Sequence, residues 1–179
     1  MKTYDLSDIS ALVVDDNAHM CRMIRAMLNG FGIRTVVEAT DGADGLERVA
    51  TRPVDILIID WEMPVLDGAE MVRMIRNPEH ELAYCPIIML TGHCTENRTR
   101  QALELGVNDI LSKPCSSKAL YLRILDAVVR PRPFIRSDTY FGPKPRTEVN
   151  AKKVREQPEL IDKRSNIPSG QDAADAFML

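Results

Sequence analysis

The chain has 179 residues, 45% hydrophobic, 27% charged and 5% aromatic, with a formal net charge of −3. This length and balance suit one domain with a buried core plus a further segment, and exclude a wholly disordered, collagenous or coiled-coil chain. No apolar run approaches the roughly 18 residues of a membrane span, Met1–Ser10 lacks the order of a signal peptide, and the mild acidity speaks against direct nucleic acid binding.

Cutting at Pro131 separates two materials. Residues 1–130 carry 14 Lys+Arg against 19 Asp+Glu, whereas residues 131–179 carry 9 against 7 and hold 6 of the 11 prolines. Cys21, Cys85, Cys94 and Cys115 form no C-x-x-C pair, so free thiols in a reducing, cytoplasmic setting are expected rather than zinc ligands.

In chain order, strands are predicted at Ala11–Val14, Thr35–Val37, Val54–Ile59, Pro86–Leu90 and Asp109–Leu111. Helices are predicted between and after them. Ala18–Phe31 places Met20, Ile24, Met27 and Phe31 on one face and stops at Asn29, Gly30 and Gly32. Gly42–Ala50, Leu66–Ile75 and Thr95–Leu105 follow, and Ser116–Arg130 opens on capping serines and ends at Pro131. Alternating strands and helices predict a doubly wound α/β fold with a five-stranded parallel sheet over residues 8–130. The Pro-rich segment 131–179 reads as an extended or partly disordered tail without a recognisable output domain. Four of the nine aromatics (Phe134, Tyr140, Phe141 and Phe177) fall in it, so docking on the domain or on a partner competes evenly with a plain linker.

Ligands of such sheets bind at the carboxyl ends of the strands. There the first strand delivers Asp15 and Asp16, the third Asp60 followed by Trp61, Glu62, Met63 and Pro64, the fourth Thr91, and the fifth Lys113 and Pro114. Each alone is an ordinary cap or turn residue. Together, three carboxylates repel one another unless a hard cation joins them, and an oxygen-only donor set suits Mg²⁺, with Mn²⁺ as a substitute. Lys113 adds a fixed positive charge and Thr91 a hydroxyl donor, which makes a pocket for a phosphoryl group beside a carboxylate nucleophile.

The pattern Asp15-Asp16, Asp60, Met63-Pro64, Asp67-Gly68, Thr91 and Lys113-Pro114 resembles the receiver domain of two-component response regulators. The resemblance implies a flavodoxin-like (βα)5 fold in which Asp60 accepts a phosphoryl group from a sensor histidine kinase or histidine phosphotransfer protein. It further implies metal ligation by Asp16 and Asp60 side chains, by the Glu62 backbone carbonyl, and by Asp15 mainly through water. Thr91 and Lys113 would contact the phosphoryl oxygens, and the Lys113–Pro114 bond would be cis. The protein would be a signalling switch that catalyses only its own phosphorylation and dephosphorylation. An unknown protein effector, or a second copy, would meet the face formed by the fourth helix, fifth strand and fifth helix.

Ile110 departs from the family's usual aromatic, so an aromatic rotamer switch coupled to Thr91 is not expected. Glu62 and His93 stand where water reaches the acyl phosphate, and Trp61 is expected at the rim. The first helix is where a kinase would dock, with Met23 partly exposed. Two further readings compete. An aspartyl-nucleophile phosphohydrolase of the haloacid dehalogenase kind would need an aspartate where Glu62 stands, and a receiver-like scaffold would need no phosphoryl chemistry.

Overall fold

The computed structural model describes residues 4–146 and the strand Glu159–Ile161. Five parallel strands, β1 (Ser10–Val14), β2 (Thr35–Ala39), β3 (Ile56–Asp60), β4 (Ile87–Thr91) and β5 (Asp109–Ser112), pair in the order β2-β1-β3-β4-β5. Between and after them lie α1 (Ala18–Gly30), α2 (Gly42–Thr51), α3 (Gly68–Ile75), α4 (Glu96–Glu104) and α5 (Ser117–Ile124). The doubly wound sheet expected from the alternation is therefore present. Every residue of β3 and β4 is buried, which is why these strands read as continuous apolar runs.

Alternation along the strands sends side chains to two separate cores. Leu12, Leu57, Ile59, Ile87 and Met89 pack with Met71, Val72 and Ile75 of α3 and Ala102 of α4. Ala11, Val13, Ile56, Ile58 and Leu90 pack with Ile24 and Leu28 of α1 and Leu120 and Ile124 of α5. The fully buried stripe of α1 is Cys21, Ile24 and Leu28, while Met20 and Met27 only flank it. The predicted face was thus rotated slightly, because steps of three and four leave two neighbouring stripes available.

Caps set the helix limits. Asp67 accepts from the Glu70 N–H and Glu70 returns a bond to the Asp67 N–H, so α3 begins at Gly68 rather than at the predicted Leu66. Thr95 and Ser116 cap α4 and α5 by accepting the N–H of Arg98 and of Ala119, without a return bond. The last predicted helix stops being α-helical at Ile124 and continues as a π-helical turn, Leu125–Val129, before Pro131.

Residues past Pro131 extend the domain. Phe134–Arg136 (β6) pairs antiparallel with Phe141–Pro143 (β7) and with Glu159–Ile161 (β8). The ribbon lies against the amino ends of β4 and β5, the rim opposite the acidic strand ends. Phe134 and Phe141 pack with Tyr84 at centroid distances of 5.3 Å each, and the Arg76 guanidinium lies 5.2 Å from the Phe134 ring centre. Arg132 donates to the Asn108 carbonyl, and Arg146 pairs with Asp109 and Asp126. Gly106, at φ +85°, and Gly142 let the two backbones touch: a Cβ on Gly106 would stand 2.4 Å from the Phe141 carbonyl oxygen. Residues 131–146 thus take the docked alternative, because their aromatics find an apolar seat. The calls on Phe177 and on the tail beyond 146, strand β8 apart, lie outside the described residues.

Truncation of the Phe134 ring should lower stability by about 3 kcal/mol, near the low end for a buried phenylalanine, since the ribbon can undock. Urea denaturation of Phe134→Ala and of a chain ending at Arg130 measures this. An unchanged midpoint in both would show that the ribbon contributes nothing to the domain.

Candidate functional site

The carboxyl ends of β1, β3, β4 and β5 converge on one rim. Asp15, Asp16 and Asp60 each offer an oxygen, all within 4.8 Å of one another. Asp15 and Asp60 are buried, with 1% and 5% exposure, whereas Asp16 is open to solvent. Lys113 reaches across from the end of β5, its Nζ 2.6 Å from Asp15 Oδ2 and 2.9 Å from Asp60 Oδ1. The Lys113–Pro114 peptide is cis, as the resemblance implies.

Each position has a local cause. Asp15 also accepts the Asn17 N–H, which fixes its carboxylate at the entry to α1. Gly68 packs against the strand end: its N–H donates to the Trp61 carbonyl, and a Cβ there would lie 2.0 Å from the Asp60 carbonyl oxygen. Only glycine permits that approach. Between them Val65 sits at φ +67° and is 85% exposed, bridged by a Leu66 N–H to Pro64 carbonyl bond. A β-branched residue in that region is strained, and the strain is held where the loop turns out of the site.

One lysine cannot balance two buried carboxylates. Burial raises the Asp60 pKa above the ordinary carboxylate value, and Asp15 adds to the rise, although the Lys113 hydrogen bond and charge oppose it. Burial works against charge on Lys113 too, but its hydrogen bonds to Asp15 and Asp60 outweigh this and its pKa lies above the usual lysine value. The excess negative charge, with three converging carboxylate oxygens, is the condition a hard divalent cation relieves, so the residues present fit Mg²⁺.

Thr91 is fully buried, and its Oγ1 accepts the His93 N–H while its carbonyl accepts the Lys113 N–H. Ile110 packs into the core near Met89, an aliphatic contact in place of a switchable ring. Trp61 lines the mouth of the site yet is only 6% exposed, because Arg98 from α4 covers it with Cζ 4.6 Å from the ring centre. Arg98 also bonds Glu62 Oε1 at 2.9 Å, turning that side chain toward α4. Sequence reasoning missed Arg98, whose only signal is a cation placed in the first turn of a helix. It also missed Arg76, a buried guanidinium that donates to the Gly106 and Ala83 carbonyls and anchors the ribbon rim.

The buried thiols are quiet. Cys21, Cys85 and Cys115 are buried and unbridged, and burial first of all pushes Cys21 up to about 11 and raises Cys115. Both remain thiols at neutral pH, which removes a nucleophilic role.

Residues 11–125 match the family model of the response regulator receiver domain. The chain is 32% identical over 113 residues to the chemotaxis protein CheY of Pseudomonas aeruginosa, covering 63% of this chain and 90% of that one. It is 36% identical over 115 residues to hybrid signal transduction histidine kinase D of Dictyostelium discoideum, 64% of this chain but only 7% of that much longer protein. Among solved structures, chemotaxis protein CheY4 of Vibrio cholerae superposes with a TM-score of 0.60 at 29% identity, over 67% of this chain and 98% of that one. The Francisella response regulator 1452 receiver domain gives 0.63 at 28%, over 70% and 100%. The chain belongs to the response regulator receiver family, with the flavodoxin-like fold that this family shares.

Relief of the charge excess gives a pH signature. Because the folded state raises the Asp60 pKa, ionised Asp60 costs stability above that pKa, and the cost vanishes as pH falls through it. Asp60→Asn should therefore raise the stability of the metal-free protein at neutral pH. The gain should fade toward the acidic side. Thermal melts across pH with a chelator present check this, and an equal or lower melting temperature at pH 7 would contradict it.

Proposed function

We propose that Asp60 is the phosphoacceptor, and that its phosphorylation by the phosphohistidine of a histidine kinase or phosphotransfer protein switches this protein's contacts with an effector. The observation that carries the reading is the Asp15–Lys113–Asp60 arrangement, a buried carboxylate beside a cation at the carboxyl end of the central strand. Asp60 ends a strand whose five residues are all buried, so its carboxylate is presented from a rigid base.

In the transfer, an Asp60 carboxylate oxygen attacks phosphorus as the bond to the donor's histidine nitrogen breaks, and the nitrogen leaves with the electron pair. Little covalent work falls to the protein, so placement and charge do most of it. Lys113 neutralises the developing oxygen charge and keeps Asp15 from repelling the incoming group. Thr91 donates its hydroxyl to a phosphoryl oxygen, drawing on a loop already tied to Lys113 through backbone. Asp16, Asp60 and the Glu62 carbonyl would hold Mg²⁺, with Asp15 acting through water, and the bound ion would supply further neutralisation of the phosphoryl oxygens.

The output is a protein contact. No described helix is long and apolar enough to cross a membrane. The surface of α4, β5 and α5 follows directly from Thr91 and Lys113 and is the face for an effector or a second copy. At its amino end Asp109 and Asp126 are already engaged within the chain by Arg123, Arg130 and Arg146. A contact there has to compete with the docked ribbon. The relatives' names, a chemotaxis protein and a hybrid histidine kinase, support donors of the histidine kinase class. A cytoplasmic location fits such a donor.

Incubation with Mg²⁺ and a small acyl phosphate should introduce one labile phosphate per chain, seen as a mass shift, and none in Asp60→Asn. Lys113→Ala should be slowed by about 100-fold, the usual loss for one preorganised charge donor. Equal labelling of wild type and Asp60→Asn would overturn the assignment.

A further inference from the structure

The mouth beside Asp60 is a cleft of about 390 Å³ lined by Asp16, Trp61, Glu62, Met63, Asp67 and Arg98, with Pro64 at its edge. Of these side chains Arg98 is the single cation, among three carboxylates. Its guanidinium makes two contacts at once, stacking over Trp61 at 4.6 Å and bonding Glu62 at 2.9 Å. Both partners lie immediately after Asp60 in the chain. Arg98 itself sits in the first turn of α4, where its N–H donates to the Thr95 cap. A positive charge there opposes the helix dipole. The helix accepts that cost, and the compensating contacts lie across the mouth rather than along α4.

We infer that Arg98 is a positioning residue that holds Glu62 and Trp61 across the mouth of the Asp60 site and thereby slows loss of the acyl phosphate to water. This rests on the assignment of Asp60 as phosphoacceptor. Dephosphorylation is attack of a water oxygen on phosphorus, with cleavage of the bond from phosphorus to the Asp60 carboxylate oxygen. The products are inorganic phosphate and the Asp60 carboxylate, and the water's proton leaves to a base or to solvent. A free Glu62 carboxylate, two residues from Asp60, is such a base. Bonded to Arg98, it is neutralised and turned toward α4, and the bridge narrows the approach. Arg98 stands on the helix that follows the Thr91 loop.

The experiment is decay of the phosphorylated protein after removal of a small acyl phosphate donor, in wild type, Arg98→Ala, Glu62→Gln and the double variant. Arg98→Ala should lose phosphate about three- to fivefold faster, the rate factor matching the worth of a partly exposed ion pair. The acceleration should be absent when Glu62→Gln is also present. Arg98→Ala should also shift Trp61 fluorescence, since the cation is removed from its face. Unchanged or slower decay in Arg98→Ala overturns the inference. So does an equal acceleration in the Glu62→Gln background, which would mean that the substitution only loosens the fold. Arg98→Gln, which keeps a polar side chain over Trp61, carries the same comparison should Arg98→Ala melt early. Failure of wild type to take up phosphate is a distinct result that removes the Asp60 assignment itself.

Discussion

Two carboxylates held out of water at the end of an apolar sheet, with a single lysine between them, are the constraint from which the rest follows. Asp15 and Asp60 both touch Lys113, so the cation is shared and one negative charge is left over. In water that imbalance costs little. At a strand end buried on both faces, burial raises the Asp60 pKa against the opposing pull of Lys113, and the unbalanced charge suits the pocket to a divalent cation. The sheet holds these groups together because β1, β3, β4 and β5 are parallel and end on one rim. An antiparallel arrangement of the same strands would send half of them to the other side.

The opposite rim carries a different material. There the chain beyond Pro131 returns as a ribbon, seated by Phe134 and Phe141 on Tyr84 and by the close approach of Gly106 and Gly142. Arg76 completes this seat by bonding the Ala83 and Gly106 carbonyls, one from the loop before β4 and one from the loop before β5. The ribbon's arginines answer the domain's acidity, with Arg146 shared between Asp109 and Asp126. The acidic strand ends and the ribbon therefore sit at opposite ends of β5. Both border the surface of α4, β5 and α5, which makes that face the meeting point of the chain's two compositions.

Much of this was legible beforehand. The apolar runs and the capping serine at Ser116 announce strands and a helix start because they depend on near neighbours in the chain, whereas the Asp67 cap moves the start of α3 from the expected Leu66 to Gly68. The four polar strand ends announce the pocket once the strands are taken as parallel. Less was legible where alternatives of equal pattern exist, as between the two adjacent stripes of α1. The burial of Trp61 was not legible at all. It depends on Arg98, 37 residues onward, whose one local signal, a cation in the first turn of a helix, does not say which ring it covers.

By itself the sequence determined the doubly wound class, the identity of the groups at the strand ends, and the break in composition at Pro131. These follow from periodicity, capping and charge, which are short-range properties. Tertiary structure alone decided which carboxylates are buried, that Lys113 is shared by two of them, that Arg98 bridges Trp61 and Glu62, and that residues 131–146 dock. The physical reason is that burial and pairing depend on groups brought together from distant parts of the chain. The excess of residues past one domain, visible from length alone, is in part a folded extension of that domain.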